Sequence, residues 1–394
     1  MSICKWWIAI VICCLSSSEP SPLQANDHPQ ATQESTLLAY WKVHPKLPTE
    51  YVVDCFQTGK RWVFLGEYHR IRHDVDLVLD LIPVLHRRTN VRCLALEFLT
   101  QEGTEEANRL VTQTTFDRQQ ALAVFRRQNP DWNYEEYFKI LETVWRSNRE
   151  LGASKGVFRL VGIQPTVDWE RLNYGDIETS QREKAKLDRF DEDMAITLEK
   201  QVLSKGIPAL VYTGIAHSTA KFKEYWIGTD RQLVRMGNLV YRNPYKQRMW
   251  FIALHAPFFD SSARREVYPF NGMLDRLMQT YGQDLGFDVI RTPFARLRDR
   301  NSPPHSLLAH SFGELFDGYI IHKTPMREYQ GVTCIPDWIN DEEQYRWFWR
   351  HLPNKAAGQG YSEIPFAEYQ KEACAPSTDH GDGFKRRFQK LGNP

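Results

Sequence analysis

Charge imbalance is missing from this sequence. Among 394 residues, 50 Lys and Arg stand against 49 Asp and Glu, a net charge of +1. That removes the electrostatic case for a nucleic-acid partner, which needs a strongly basic domain or stripe. Cysteine is scarce at seven residues, and no two are spaced Cys-x-x-Cys, so a thiolate zinc site is excluded. No His-Glu-x-x-His occurs, and Gly66 lacks the spaced glycines of phosphate or dinucleotide loops. Long apolar runs are also absent. Trp6 to Leu15 is unbroken but falls short of the ~20 residues that span a bilayer, and no other window reaches that length. What is present is a globular composition, 42% hydrophobic and 25% charged, which can bury a sizeable core. Aromatics reach 13% with 12 Trp; such rings fill cores and line apolar pockets.

Lys5, the apolar run and Ser16 to Ser18 follow the pattern of a secretory signal over residues 1–18. An exported protein is the expectation: periplasmic, secreted or membrane-associated. Cys13 and Cys14 follow bulky Val11 and Ile12, a poor lipid-attachment context. Pro20 to Thr36 is rich in Ser, Pro and Gln, so residues 19–45 read as a linker. Cys93 falls inside an apolar run and reads as a buried thiol. Cys334 with Cys374 would staple the C-terminal tail, although sequence leaves the pairing open.

Strand patterns at Arg61 to Leu65, Arg92 to Leu96, Val157 to Ile163 and Ala209 to Thr213 are separated by long helical stretches. These are Ile71 to Arg88, three helices between Thr104 and Leu151, and Ser180 to Ser204. Pro83 would kink the first or end it early. Connections of this length favour parallel pairing. Residues 46–330 are therefore expected to form an α/β three-layer sandwich with a mainly parallel central sheet. Later strands are expected at Leu239 to Arg242, Trp250 to His255, Phe287 to Ile290 and Tyr319 to His322. Helices are expected at Gly272 to Thr280 and Ile339 to His351. Residues 331–394 read as a C-terminal extension that wraps the surface from Pro353 onward.

Polar residues cluster where strands end. Glu67 and His69 follow the first strand, Glu97 ends the second, Gln164 and Pro165 follow the third, and His217 follows the fourth. In a parallel sheet these meet at the carboxyl edge, where open α/β sheets bind ligands. Taken singly each has a plain reading: a turn His, a helix-capping Glu, a turn Gly at Gly66. Together they bring two carboxylates and two imidazoles to one place, and charges beside apolar strands need a partner or a task.

At these residues the chain resembles the erythromycin esterase/ChaN-like superfamily, which is related to the TraB/Tiki proteins. The matching pieces are Gly66-Glu67-Tyr68-His69, Glu97 at a strand end, Trp132-Asn133-Tyr134, Arg189 to Ala195, Gly214-Ile215-Ala216-His217 and Phe316 to Ile320. They span Val63 to Ile321. The resemblance implies one of three activities. The esterase branch hydrolyses lactones with a His that activates water. The ChaN branch binds haem and is exported. The Tiki branch is metal-dependent and proteolytic.

The chemistry allowed by the residues themselves is consistent with a hydrolase of esterase type. Ester hydrolysis needs a base for water and a donor or cation for the oxyanion. His69 or His217 can be the base near neutral pH, with Glu67 or Glu97 orienting the ring. Arg72, one helical turn beyond His69, is the expected charge stabiliser, with Arg70 and Arg189 as alternatives. Gly152 to Gly156 spells Gly-x-Ser-x-Gly, but there a helix leads into a strand, the reverse of a nucleophile elbow. Glu67, His69, Glu97 and His217 could instead ligate a divalent metal. His73, among Arg72, Asp74 and Asp76, reads as part of a solvated helix face. A haem alternative would need an axial Tyr, His or Met beside an apolar slot, and no residue is distinctive enough to name. The expected partner is a small-molecule substrate or haem.

Overall fold

Trp62–Glu67 forms strand β1, and each of its six residues is buried. Unbroken burial without alternation marks a strand covered on both faces. The computed structural model describes residues 27–126, 128, 132–225, 232–260, 265–299, 310–322, 331–351, 365–367 and 370. The other strands are β2 (Cys93–Thr100), β3 (Arg159–Gln164), β4 (Ala209–Gly214), β5 (Glu224–Tyr225), β6 (Gln232–Leu233), β7 (Met249–Leu254), β8 (Phe258–Asp260), β9 (Arg265–Val267), β10 (Leu285–Asp288) and β11 (Gly318–Ile321). Seven of them build one sheet in the order β10-β11-β7-β1-β4-β2-β3. Every neighbouring pair is parallel except β10 with β11. The short pairs β5-β6 and β8-β9 stand outside it.

Helices α1 (Asp27–Val43) and α2 (Pro48–Gln57) precede β1, and α3 (Arg72–Arg88) follows it. Between β2 and β3 come α4 (Thr104–Leu110), α5 (Arg118–Arg126) and α6 (Glu135–Lys155). Next are α7 (Trp169–Tyr174), α8 (Ile177–Asp188) and α9 (Phe190–Leu198), then α10 (Ile215–Ser218) and α11 (Met236–Val240) after β4. Helix α12 (Met273–Tyr281) precedes β10, and α13 (Phe312–Leu315) precedes β11. Val63 and Leu65 of β1 pack with the layer of α2 to α6, while Trp62 and Phe64 pack with α9 and α11. A third apolar cluster joins α1, α12 and α13 to β10 and β11. The fold is the expected α/β sandwich.

Several elements differ from expectation. Residues 27–43, inside the expected linker, are helical. Leu37 and Trp41, one turn apart, are buried, and Trp41 stacks on Phe294 at 5.3 Å. The apolar residues crowd into its second half, Leu37 to Val43, so the segment shows no helical period over its length. The expected strand Leu239 to Arg242 is α11, whose start is held by the Asn238 side chain accepting from Arg235 N. Runs this short do not separate helix from strand. The helix expected over Ser180 to Ser204 is divided into α8, α9 and a π-turn at Glu199–Leu203. Helix α3 continues through Pro83.

Val332, Ile335 and Trp338, expected in the extension, lie in the same apolar cluster as β1 and α6. Isolated bridges join Ile71 to Gly331 and Tyr134 to Cys334. Cys334 is disulfide-bonded; Cys374 lies outside the described residues, as do residues 1–18 and the tail from Pro353 to 364. Cys93 is a buried free thiol whose pKa is pushed up to about 12 by burial. Among the described residues no helix is long and apolar enough to cross a membrane.

Candidate active site

Strands β1, β4 and β2 lie side by side, with Glu67 opposite Gly214 and Leu96 opposite Tyr212. Glu67 is the last residue of β1 rather than the second after it, and it is 2% exposed. Its Oε1 accepts a hydrogen bond from the Tyr137 hydroxyl at 2.9 Å and lies 2.9 Å from His69 Nδ1. The Tyr212 hydroxyl donates to its Oε2. These contacts offset the cost of burying the carboxylate.

The ring of His69 returns toward Glu67 because the chain turns sharply just after it. Arg70 has φ 69°, the left-handed region where a non-glycine residue is uncommon. The turn is tied down by Arg70 N, which donates to the Tyr137 hydroxyl at 3.0 Å. Trp132 meets the His69 ring edge to face at 4.4 Å.

Gly214 makes room on the other side. A Cβ there would lie 2.6 Å from His69 ring atoms and 3.4 Å from Glu97 Oε2. Its N–H donates to Glu97 Oε2 at 2.6 Å. Glu97 lies within β2, not at its end, because β2 continues to Thr100 past a register shift between Leu96 and Thr100. Its Oε1 is 3.9 Å from His69 Nε2 and 3.5 Å from His217 Nε2.

His217, on α10, has Nδ1 2.7 Å from Asp191 Oδ1 at the start of α9. Asp191 also accepts from Met236 N at 2.7 Å and from Arg235 Nη1 at 3.3 Å. The two histidines thus have one plan. Each places Nδ1 on a carboxylate, and each turns Nε2 toward the same oxygen of Glu97.

The electrostatics follow from that plan. Dehydration disfavours the charged form of His69, but the Glu67 hydrogen bond and the charges of Glu97 and Glu67 outweigh it and raise its pKa. Two-fifths of the His69 side chain is exposed at 41%, so water limits the dehydration effect. His217, 17% exposed, is likewise opposed by burial but raised by the Glu97 charge and by Asp191. Burial opposes ionisation of Asp191, yet His217 and then Arg235 hold its pKa below the ordinary value.

The four expected residues Glu67, His69, Glu97 and His217 therefore come together. Arg72 takes a different place. Its Nε lies 3.6 Å from Glu136 Oε1 and 3.8 Å from Asp76 Oδ2, carboxylates of α6 and α3. We read it as a helix-pairing residue in place of the expected charge stabiliser. The Arg70 guanidinium lies over the Tyr134 ring, and Arg189 pairs with Glu192 and Asp193. His73 is buried rather than on a solvated face, with Nε2 3.6 Å from Asp74 Oδ1. Gln164 ends β3, and its carbonyl accepts from Gln101 N at 2.9 Å, a link between strands. Gly152 to Lys155 is the last turn of α6, with Gly156 its cap at φ 81°. Asp191, Tyr137 and Tyr212 were not anticipated as site residues.

A divalent metal would need three or more of these groups around one point at about 2.0–2.2 Å. Among the described residues no His, Cys, Asp and Glu side chains are grouped that way, so we derive no step through a metal. Haem needs an apolar slot. An apolar cavity lined in part by Tyr68 and Ile215 measures about 50 Å³, against roughly 300–1,000 Å³ for ordinary ligand pockets. The described residues do not fit a porphyrin there.

No protein-family profile matches the sequence, and no curated protein matches it. Several solved structures superpose on part of the chain at low identity. A Bacillus cereus protein superposes with a TM-score of 0.47 and 10% identity, over 73% of this chain and 97% of that one. An erythromycin esterase mutant, EreC in its open conformation, gives 0.47 and 14% identity, over 67% and 90%. ChaN of Campylobacter jejuni, described with cofacial heme binding, gives 0.34 and 12% identity, over 54% and 88%.

Proposed function

We propose that the protein is an ester hydrolase in which His69 activates water and His217 stabilises the oxyanion. The observation that carries this is the pair of carboxylate-bound histidines whose Nε2 atoms converge on Glu97 Oε1. Glu67 fixes His69 through Nδ1, which leaves Nε2 as the basic atom. Asp191 and Glu97 favour the imidazolium form of His217, whose Nε2–H can then donate.

In the first step the water oxygen bonds to the ester carbonyl carbon and its proton passes to His69 Nε2. The carbonyl electron pair moves onto oxygen, where His217 Nε2–H meets the developing charge. Collapse of the tetrahedral intermediate breaks the bond to the alkoxy oxygen, which takes the proton back from His69. Acid and alcohol leave, and the enzyme is restored. Under the same reading, residues 1–18 direct export.

The test is turnover of a panel of p-nitrophenyl esters and lactones by the full chain, beside His69→Ala and His217→Ala. Turnover lost in both variants at an unchanged melting temperature supports the reading. A folded parent inert on the whole panel overturns it, and activity abolished by chelation would replace it with a metal mechanism.

A further inference from the structure

An apolar cavity adjoins the His and Glu centre, and the mechanism above makes no use of it. Its walls include Tyr68, Ile215, Phe270, Phe312, Leu315 and Tyr319. Two of these join it to the site through the chain. Tyr68 lies between Glu67 and His69, and Ile215 follows Gly214, two residues before His217. Two residues of the cavity wall are thus chain neighbours of the site residues, one Cα–Cα step of 3.8 Å away. Leu254 and Tyr319 bring in the ends of β7 and the middle of β11, on the opposite side of β1 from β4. The crevice at the strand ends is thus polar over β4 and β2 and apolar over β7 and β11.

The far wall is stiff. The Tyr319 hydroxyl is 2.9 Å from His255 Nδ1, and His255 Nε2 is 3.0 Å from Asp275 Oδ1. Both side chains of that pair are wholly buried. Phe312 meets Tyr319 edge to face at 4.9 Å, and Phe270 meets Phe312 at 5.0 Å. Interlocked rings and a buried hydrogen-bonded tyrosine do not yield easily to an oversized guest. Size is therefore informative. An apolar cavity of about 150 Å³ holds a benzene ring, and the volume here is about 50 Å³. That leaves room for two or three carbon atoms.

We propose that this cavity receives the acyl group of the ester and restricts the enzyme to short chains, acetyl and propionyl. The proposal rests on the hydrolase reading. Each methylene without room costs roughly tenfold or more in kcat/KM. The experiment measures kcat/KM of the full chain on p-nitrophenyl acetate, propionate, butyrate, hexanoate and octanoate. The expected result is highest kcat/KM at acetate or propionate and a fall of at least about tenfold by hexanoate. Leu315→Ala, which deepens the cavity, should raise the hexanoate-to-acetate ratio about tenfold or more. Phe312→Leu gives a second, milder enlargement should the first fold poorly, and melting curves accompany both. A ratio that is flat in the parent, or unmoved in a folded cavity variant, overturns the acyl assignment and leaves the hydrolase standing. No turnover of any ester overturns the hydrolase and the acyl assignment with it.

Discussion

Histidine meets carboxylate in several places among the described residues, and the close pairs at the candidate site differ from the His255–Asp275 pair in what is left over. In the His255–Asp275 pair both ring nitrogens are engaged, one by Asp275 and one by Tyr319, with no exposure of either side chain. In the Glu67–His69 and Asp191–His217 pairs only Nδ1 is held in this way, and Nε2 looks across a gap of 3.5–3.9 Å to Glu97. A proton acceptor needs a free ring nitrogen, and His255 has none to offer. The same chemical couple therefore builds a wall in one region and, under the proposed hydrolase reading, a reaction centre in the other. His86 marks the background case. It is buried without a carboxylate, and burial lowers its pKa, the reverse of His69 and His217.

The comparison breaks first under substitution of the histidines themselves. His69→Ala and His217→Ala should each lower ester turnover about 10²- to 10⁴-fold with little change in melting temperature. His255→Ala should do the opposite at its own location, because it leaves Asp275 buried without its partner. Such a loss costs about 3–5 kcal/mol, so thermal melting should show a large drop. Equal melting losses in all three variants would erase the distinction between wall and centre.

Gly214→Ala comes next. The added methyl would lie 2.6 Å from the His69 ring, so His69 must shift. A displacement of about 1 Å costs on the order of 10² in rate. Steady-state kinetics should show this loss falling mainly on kcat; full activity would mean that His69 is free to move.

pH sharpens the contrast more gently. Both site histidines are raised above 6.5, and they face one another across Glu97. The pair should give a bell-shaped kcat/KM profile whose two limbs both lie above pH 6.5 and belong to the pair jointly. A raised folded-state pKa also means stabilisation that is complete below the unfolded value and lost as pH rises through the folded one. Melting temperature should therefore fall on passing upward from about pH 6.5, and that part of the fall should vanish in His69→Ala with His217→Ala. A profile with its acid limb below 6.5 would contradict the placement of Glu97 between the rings.

The smallest effects concern the ends of the chain. Non-reducing peptide mapping should link Cys334 to Cys374. N-terminal sequencing of exported material should begin between Ser18 and Asn26. A start at Met1, or free thiols at both cysteines, would remove these expectations.

Much of the centre was legible beforehand because strand ends are marked by plain signals. Apolar runs stop at Glu67 and Gly214, and a parallel sheet puts such stops on one edge. Asp191 lies in the Arg189 to Ala195 piece of the resemblance, but among Glu192 and Asp193 nothing in the sequence marks it as the carboxylate that meets His217. Tyr137 and Tyr212 were hidden for the opposite reason: each sits in an apolar pattern, and only the fold reveals that its hydroxyl meets Glu67. Arg72 was misplaced because spacing along a helix gives nearness but not the direction of a long side chain. His73 looked solvated beside three charged neighbours, yet it is buried together with Asp74 while Arg72 and Asp76 on the same helix reach solvent. The helix at 27–43 was missed since its apolar residues crowd into its second half and set up no period over its length.

The central position of β1 has a further consequence, for biosynthesis. Its two partners arrive late, since Trp62 pairs with Ala209 on one side and Met249 on the other. At ~5–20 residues per second, the ribosome leaves this apolar strand without a neighbour for roughly 7 to 30 seconds. Pairing across such separations is slow and prone to wrong partners. Glu67, buried in the finished protein, must wait equally long for Tyr212 and for the strand carrying Gly214. The candidate site therefore cannot assemble until β4 and α10 have been made, past the middle of the chain.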